Sequence, residues 1–196
     1  NADVVGVYDV STSTFDMSIS TGTLTSGSKF YGAAAVGTKV VFAPFNANLI
    51  GVYDVSTSTF DISISTGTLT STLTKFSGAA AVGTKVVFAP RNADVVGVYD
   101  VSTSTFDMSA STGALTSGSK FSGAAAVGTK VVFAPRNADV VGVYTLPFDT
   151  PISTGALTSG SKFEGAAAVG TKVVFAPCNA DVVGVYDVST STFDIS

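Results

Sequence analysis

The chain has 196 residues, 45% hydrophobic and only 12% charged, with a net charge of −4 and a pI near 4.5. Core material is ample for folding, and no basic surface exists to neutralise a row of phosphates, which argues against nucleic acid as a partner. There is no histidine, so the usual general base near neutral pH and any Ser-His or Cys-His nucleophile are excluded, while the lone Cys178 supports neither an intrachain disulfide nor a thiolate metal cage.

The chain opens on NADVVGVYDVSTSTFD from Asn1, and related stretches start at Asn46, Asn92, Asn137 and Asn179, at steps of 45, 46, 45 and 42 residues. Such a period signals blades or solenoid units. Opening in mid-pattern suggests a processed product or a piece of something longer. After a polar Ser/Thr/Gly connection, STGTLTSGSKF from Ser20, the first full unit sets out short apolar stretches between turn signals. These are Ala33–Val36, a turn at Gly37-Thr38-Lys39, Val40–Ala43, a corner at Pro44–Ala47, Leu49–Tyr53, a turn at Asp54–Thr57, and Thr59–Ile62. Four strands per unit follow. Nothing repeats at 3.6 residues, and Val, Thr, Phe and Tyr suit pleated surfaces. The fold class is therefore all-β, a β-propeller-like array of four-stranded antiparallel blades with about four and a half repeats of ~45 residues.

As one repeat domain spanning 1–196, the chain divides into an orphan half-blade at 1–18 and blades at about 29–62, 75–109, 120–150 and 162–196. The fourth repeat stretch departs most: GVYTLPFDTPISTG from Gly142 brings Pro147 and Pro151 where other units have a strand, which predicts an altered outer edge. The alanine runs suit the crowded axis, Gly6 and its copies Gly51, Gly97, Gly142 and Gly184 would let a neighbouring sheet approach, and the phenylalanines pack between sheets. Lys29, Lys39 and their copies read as solubilising strand ends.

The pairs Tyr8-Asp9, Tyr53-Asp54, Tyr99-Asp100 and Tyr186-Asp187, each followed after a short turn by Phe15, Phe60, Phe106 or Phe193, make the unit resemble the kelch repeat of β-propellers. It departs from kelch in having Ala43-Pro44 in place of a double glycine and phenylalanine in place of tryptophan. The resemblance implies a protein-binding platform. Kelch-like oxidases build a copper site with histidines, which this chain lacks, so no enzyme and no cofactor or metal is expected.

Candidate chemistry is sparse. Asp9 and Asp16, with their copies, could bind Ca²⁺ or act as acid and base, but repetition in several units favours tight turns. Asn1/Asp3, Asn92/Asp94, Asn137/Asp139 and Asn179/Asp181 could form a ring of oxygens or Asx turns, and the TST stretches an ice-binding threonine row. The sharper signal is GAAAVGTKVVFAP, present four times without substitution at Gly32–Pro44, Gly78–Pro90, Gly123–Pro135 and Gly165–Pro177, and flanked by variable residues. Tyr31 and Phe45, Ser77 and Arg91, Ser122 and Arg136, and Glu164 and Cys178 lie side by side at the open end of each inner hairpin. These eight form the candidate protein-binding face.

The expected function is a non-catalytic scaffold or linker in a larger complex. The alternatives are a carbohydrate or small-ligand binding module and, further off, an Asp-dependent hydrolase or lyase. The partners are other proteins, with a swapped or completed blade from another chain as one mode. No apolar run reaches the ~20 residues of a membrane span, although association with a membrane complex stays open. Low charge and abundant Ser and Thr favour a secreted, cell-surface or organelle-lumen location.

Overall fold

The computed structural model describes residues 2–71, 74–145 and 152–195, so Asn1, Pro147 and Pro151 lie outside the described residues. The apolar stretches become antiparallel strands because each is a short β-branched run closed by a turn residue. A two-stranded hairpin, β1 (Val4–Asp9) and β2 (Thr14–Ser20), comes first. The first blade is β3 (Phe30–Val36), β4 (Lys39–Pro44), β5 (Leu49–Asp54) and β6 (Thr59–Ser65), hydrogen-bonded in that order. The second holds β7 (Phe76–Val82), β8 (Lys85–Pro90), β9 (Val95–Asp100) and β10 (Thr105–Ser111). The third holds β11 (Phe121–Val127), β12 (Lys130–Pro135), β13 (Val140–Tyr144) and the two-residue β14 (Ile152–Ser153). β15 (Phe163–Val169), β16 (Lys172–Pro177), β17 (Gly184–Asp187) and β18 (Thr192–Ile195) make the fourth. The only helical segment among the described residues is a 3₁₀ turn at Gly67–Ser71.

The inner hairpin turns on two residues: Val36 pairs with Lys39, and Gly37 takes φ +58°, as tight hairpins demand. Lys39 thus belongs to the strand and not to the turn.

The inner strands β3, β7, β11 and β15 lie side by side in that order. Their approach is set by a glycine in each: a Cβ on Gly32 would stand 3.0 Å from the backbone of Gly78, one on Gly78 2.9 Å from Gly123, and one on Gly123 2.9 Å from Gly165. Gly165 meets only Ala176 of its own blade, so the succession stops there among the described residues. The glycines of the third strands work differently from the expectation. A Cβ on Gly51 would strike Phe60 and Phe30 at 2.6 and 2.8 Å, both in its own sheet. These positions make room for rings, with Phe30, Phe42 and Phe60 clustered at centroid distances of 5.7 to 6.1 Å.

Between blades the core repeats. Val41, Ala43, Ile50 and Val52 of the first blade pack on Phe76, Val86 and Phe88 of the second. Val87, Ala89, Val96 and Val98 do the same to Phe121, Val131 and Phe133, and Val132, Ala134, Val141 and Val143 to Phe163, Val173 and Phe175. Each blade is therefore stabilised by burying one face against its neighbour, as in other repeat arrays.

Lys29, Lys75, Lys120 and Lys162 overturn the solubiliser reading, since all four are buried. Three reach a carboxylate of the preceding unit: Lys29 to Asp3 at 2.6 Å, Lys120 to Asp94 at 3.0 Å and Lys162 to Asp139 at 3.0 Å. Pairing of this kind is what makes a buried ammonium tolerable. Asn48 occupies the position of those aspartates in the unit before Lys75, and Lys75 Nζ donates to the Asn46 carbonyl at 3.4 Å.

Candidate functional site

In each inner strand the register slips beside the variable residue. Phe30 pairs with Pro44 and Gly32 with Ala43, which leaves Tyr31 as an extra residue. Ser77 and Glu164 occupy the same bulge between Phe76 and Gly78 and between Phe163 and Gly165, and Ser122 lies within the shift between Phe121 and Ala124. A bulge re-aims its side chain out of the pleat. The variable residues sit where the blade's own pairing does not dictate their identity.

The second member of each pair lies on a backbone ladder that links the blades. Phe45 N–H donates to Lys29 O at 2.8 Å and Lys75 N–H to Phe45 O at 2.8 Å. The alternation continues through Arg91, Lys120, Arg136 and Lys162 to Cys178, all at 2.8 to 2.9 Å. This register requires only backbone groups at 45, 91, 136 and 178, which leaves their side chains free to differ.

Those side chains meet across the ladder. Tyr31 stacks on Phe45 at 5.0 Å, and the Arg91 guanidinium lies 5.3 Å above the Phe45 ring, a cation–π contact. Arg136 forms an ion pair with Glu164. Ser77 Oγ donates to Phe121 O at 2.7 Å and Ser122 Oγ to Phe163 O at 2.6 Å, both buried. Phe45 is also buried, whereas Tyr31 is 58% exposed and Cys178 is exposed. The eight residues thus come together at one end of the inner hairpins. Ser77, Ser122 and Phe45 act largely between blades, while Tyr31, Arg91, Arg136, Glu164 and Cys178 reach solvent to differing degrees.

Burial, together with the nearby charge of Arg136, depresses the pKa of Arg91, and Tyr31 opposes the shift. Arg136 has its countercharge in Glu164; among the described residues no carboxylate forms an ion pair with Arg91. Arg91 Nε is buried and unpartnered among those residues.

The aspartates act as turn residues. Asp9 Oδ1 accepts from Ser11 N–H at 2.8 Å and Asp16 Oδ1 from Ser18 N–H at 2.8 Å, and the copies do likewise. Asp54 and Asp100 are held well below the usual carboxylate range by the Ser56 and Ser102 hydroxyls first, and by Lys39 and Lys85 next. Such groups stay ionised and make poor general acids. The proposed oxygen ring is divided: Asp3, Asp94 and Asp139 pair with buried lysines, while Asn92 and Asn137 Oδ1 accept from Ser119 and Ser161 N–H at 2.7 and 2.9 Å. No cluster of three or more potential metal ligands occurs among the described residues, and no described helix is long and apolar enough to cross a membrane.

Sequence reasoning missed the ladder lysines as structural residues. The available signal was a lysine at constant phase immediately before the first phenylalanine of every inner hairpin.

Sheets of this order, with inner strands side by side, define a β-propeller-like repeat fold. The solved structures agree. Virginiamycin B lyase from Staphylococcus aureus is similar at a TM-score of 0.79 and 14% identity, over 100% of this chain and 63% of that one. A chain of a nidogen/laminin complex is similar at 0.66 and 13%, over 98% and 71%. A catalytically inactive His-to-Ala variant of the same lyase, with quinupristin, gives 0.77 and 14%, over 99% and 62%. At these identities the likeness concerns the fold, and the chain spans less than two thirds of the lyase's length. No protein-family model matches the chain, and no curated protein matches it.

Proposed function

We propose that this chain is a non-catalytic, kelch-like scaffold or linker that binds another protein through the bulge end of its inner hairpins. The observation that carries the reading is the contact series Tyr31, Phe45, Arg91. It offers an exposed aromatic ring beside a guanidinium with no carboxylate partner of its own among the described residues. Exposed aromatic and arginine side chains in contact are the usual anchors of protein interfaces. A partner suited to it presents an apolar group next to a carboxylate. The lack of histidine and the ionised, turn-bound aspartates support binding over catalysis; the lyase similar in fold has a catalytically inactive form in which a histidine is replaced. Structural neighbours that are components of protein complexes are consistent with this reading. On it, residues 1–196 act as one repeat domain, in a secreted, cell-surface or organelle-lumen setting.

The test is native purification of the source protein with mass determination, followed by replacement with a Tyr31→Ser/Arg91→Gln variant, serine being the residue two other repeats carry at the bulge. The expected result is a complex of fixed stoichiometry that the variant no longer forms although it still melts in one cooperative transition, a few degrees below the parent because its contacts with Phe45 are gone. A complex that survives both changes overturns the assignment of this face. Glycan binding repeated per blade would favour a carbohydrate module instead.

A further inference from the structure

The chain has two arginines, Arg91 and Arg136, and a single glutamate, Glu164, and all three stand at the bulge end of the inner hairpins. The lysines are placed otherwise. Lys29, Lys75, Lys120 and Lys162 are buried, and Lys39, Lys85, Lys130 and Lys172 open the second strands at the opposite end of those hairpins. The cations that reach solvent at the bulge end, among the described residues, are therefore the two guanidiniums. They lie close enough that the charge of Arg136 adds to burial in lowering the pKa of Arg91.

The ladder assigns each arginine a neighbour on the following blade. Lys120 N–H donates to Arg91 O and Lys162 N–H to Arg136 O, both at 2.9 Å, and two places after each lysine comes the bulge residue, Ser122 in one case and Glu164 in the other. Arg136 has the Glu164 carboxylate as its ion-pair partner. Arg91, at the same ladder position, has only Ser122 there, whose short side chain is committed to Phe163 O at 2.6 Å. The pair Arg136–Glu164 thus shows what an arginine at this position takes, and Arg91 has no such carboxylate among the described residues. The bulge also accommodates a large side chain with the following blade in place, since Tyr31 occupies it in the first blade and stacks on Phe45. Two guanidiniums and one carboxylate leave one positive charge uncompensated. It is half-buried, where water screens it less than at an open surface.

We propose that the Arg91 guanidinium is a subsite for one glutamate side chain of the partner, seated above Ser122 as Glu164 is seated beside Arg136. This deepens the docking reading given above and rests on it. One uncompensated charge calls for a monoanion, and the planar fork of a guanidinium matches a carboxylate. The Tyr31 and Phe45 rings beside it receive the apolar residue next to that glutamate.

With two arginines, the chain gives two guanidinium Nε–H signals in a proton–nitrogen correlation spectrum, and Arg91→Lys identifies which is which. The probes are N-acetyl-Phe-Glu-amide and its glutamine counterpart, each added to the intact chain. The expected result is a saturable shift of the Arg91 signal by the glutamate peptide, with an affinity at least about tenfold above that of the uncharged glutamine peptide, while the Arg136 signal stays in place. Glu164→Gln, at a partly exposed position, should make the Arg136 signal respond to the same peptide. Ser122→Glu should abolish the response of Arg91 by supplying the carboxylate from within. The proposal fails if the Arg91 signal does not move, if the glutamine peptide moves it equally, or if Arg136 stays indifferent in the Glu164→Gln chain. These outcomes are separable from those for the docking face. A silent Arg91 signal overturns the glutamate subsite even where Tyr31→Ser/Arg91→Gln abolishes the native complex, and a complex that survives that variant overturns the face even where the signal moves.

Discussion

Asn48→Asp should stabilise the protein by giving Lys75 the carboxylate that its three counterparts possess. Asn48 occupies the position of Asp3, Asp94 and Asp139, since its carbonyl accepts from Thr66 N–H at 2.9 Å as theirs do from Thr21, Thr112 and Thr154. Lys75 is 0% exposed, and desolvation lowers its pKa from 10.5. A hydrogen bond to a charged group is worth ~1.5–3 kcal/mol. The partner carboxylates are 74 to 78% exposed, which weakens the pair through solvent screening, so the net gain is about 1 kcal/mol. For a chain of this size that raises Tm by about 2–4 °C, measurable by circular dichroism.

The pH dependence has a definite sign. Asp3 is held below its usual value by its hydrogen bond to Lys29 and then by that charge, and the introduced carboxylate should behave likewise. Its contribution is present above the unfolded value of ~3.9 and is lost as pH falls through the lower folded value. At the alkaline end the folded pKa of Lys75 lies below its unfolded one, so the parent gains stability as pH rises through that window, and the advantage of the variant shrinks as Lys75 discharges. A Tm that stays level or falls at pH 7, or a gain that persists unchanged below the carboxylate range, would refute the assignment of Lys75 as a buried cation short of a partner.

Gly78→Ala should cost about 1–3 kcal/mol through overpacking, because the new Cβ meets the Gly123 and Ala124 backbone at 2.9 to 3.0 Å. Gly165→Ala, in ordinary contact with Ala176 at 3.5 Å, should be neutral or slightly stabilising; chemical denaturation separates the two. Phe88→Ala should lose about 3–5 kcal/mol, and Phe42→Ala, half-buried at the same repeat position, clearly less; equal losses would contradict an open first blade. Cys178 is exposed and should react with one equivalent of a thiol reagent in the native protein.

The period of ~45 residues, the four strands per unit and their all-β character were legible in the sequence, because short β-branched runs closed by Gly, Pro, Asn and Asp carry their conformation locally. The pairing of variable residues at the hairpin's open end was legible too, since two strands joined by a tight turn must bring positions 31 and 45 together. Tertiary structure alone decided what those residues touch. The bulge at Tyr31 is a register slip between β3 and β4 that the residue pattern does not announce, while the ladder through Phe45, Arg91, Arg136 and Cys178 and the contact of Arg136 with Glu164 depend on how one blade lies against the next. The burial of Lys29, Lys75, Lys120 and Lys162 has the same origin. A lysine preceding a strand reads as a solvated end until a neighbouring blade covers it. The carboxylates that stabilise Lys29, Lys120 and Lys162 there are supplied by the preceding unit, across a distance that no local pattern encodes.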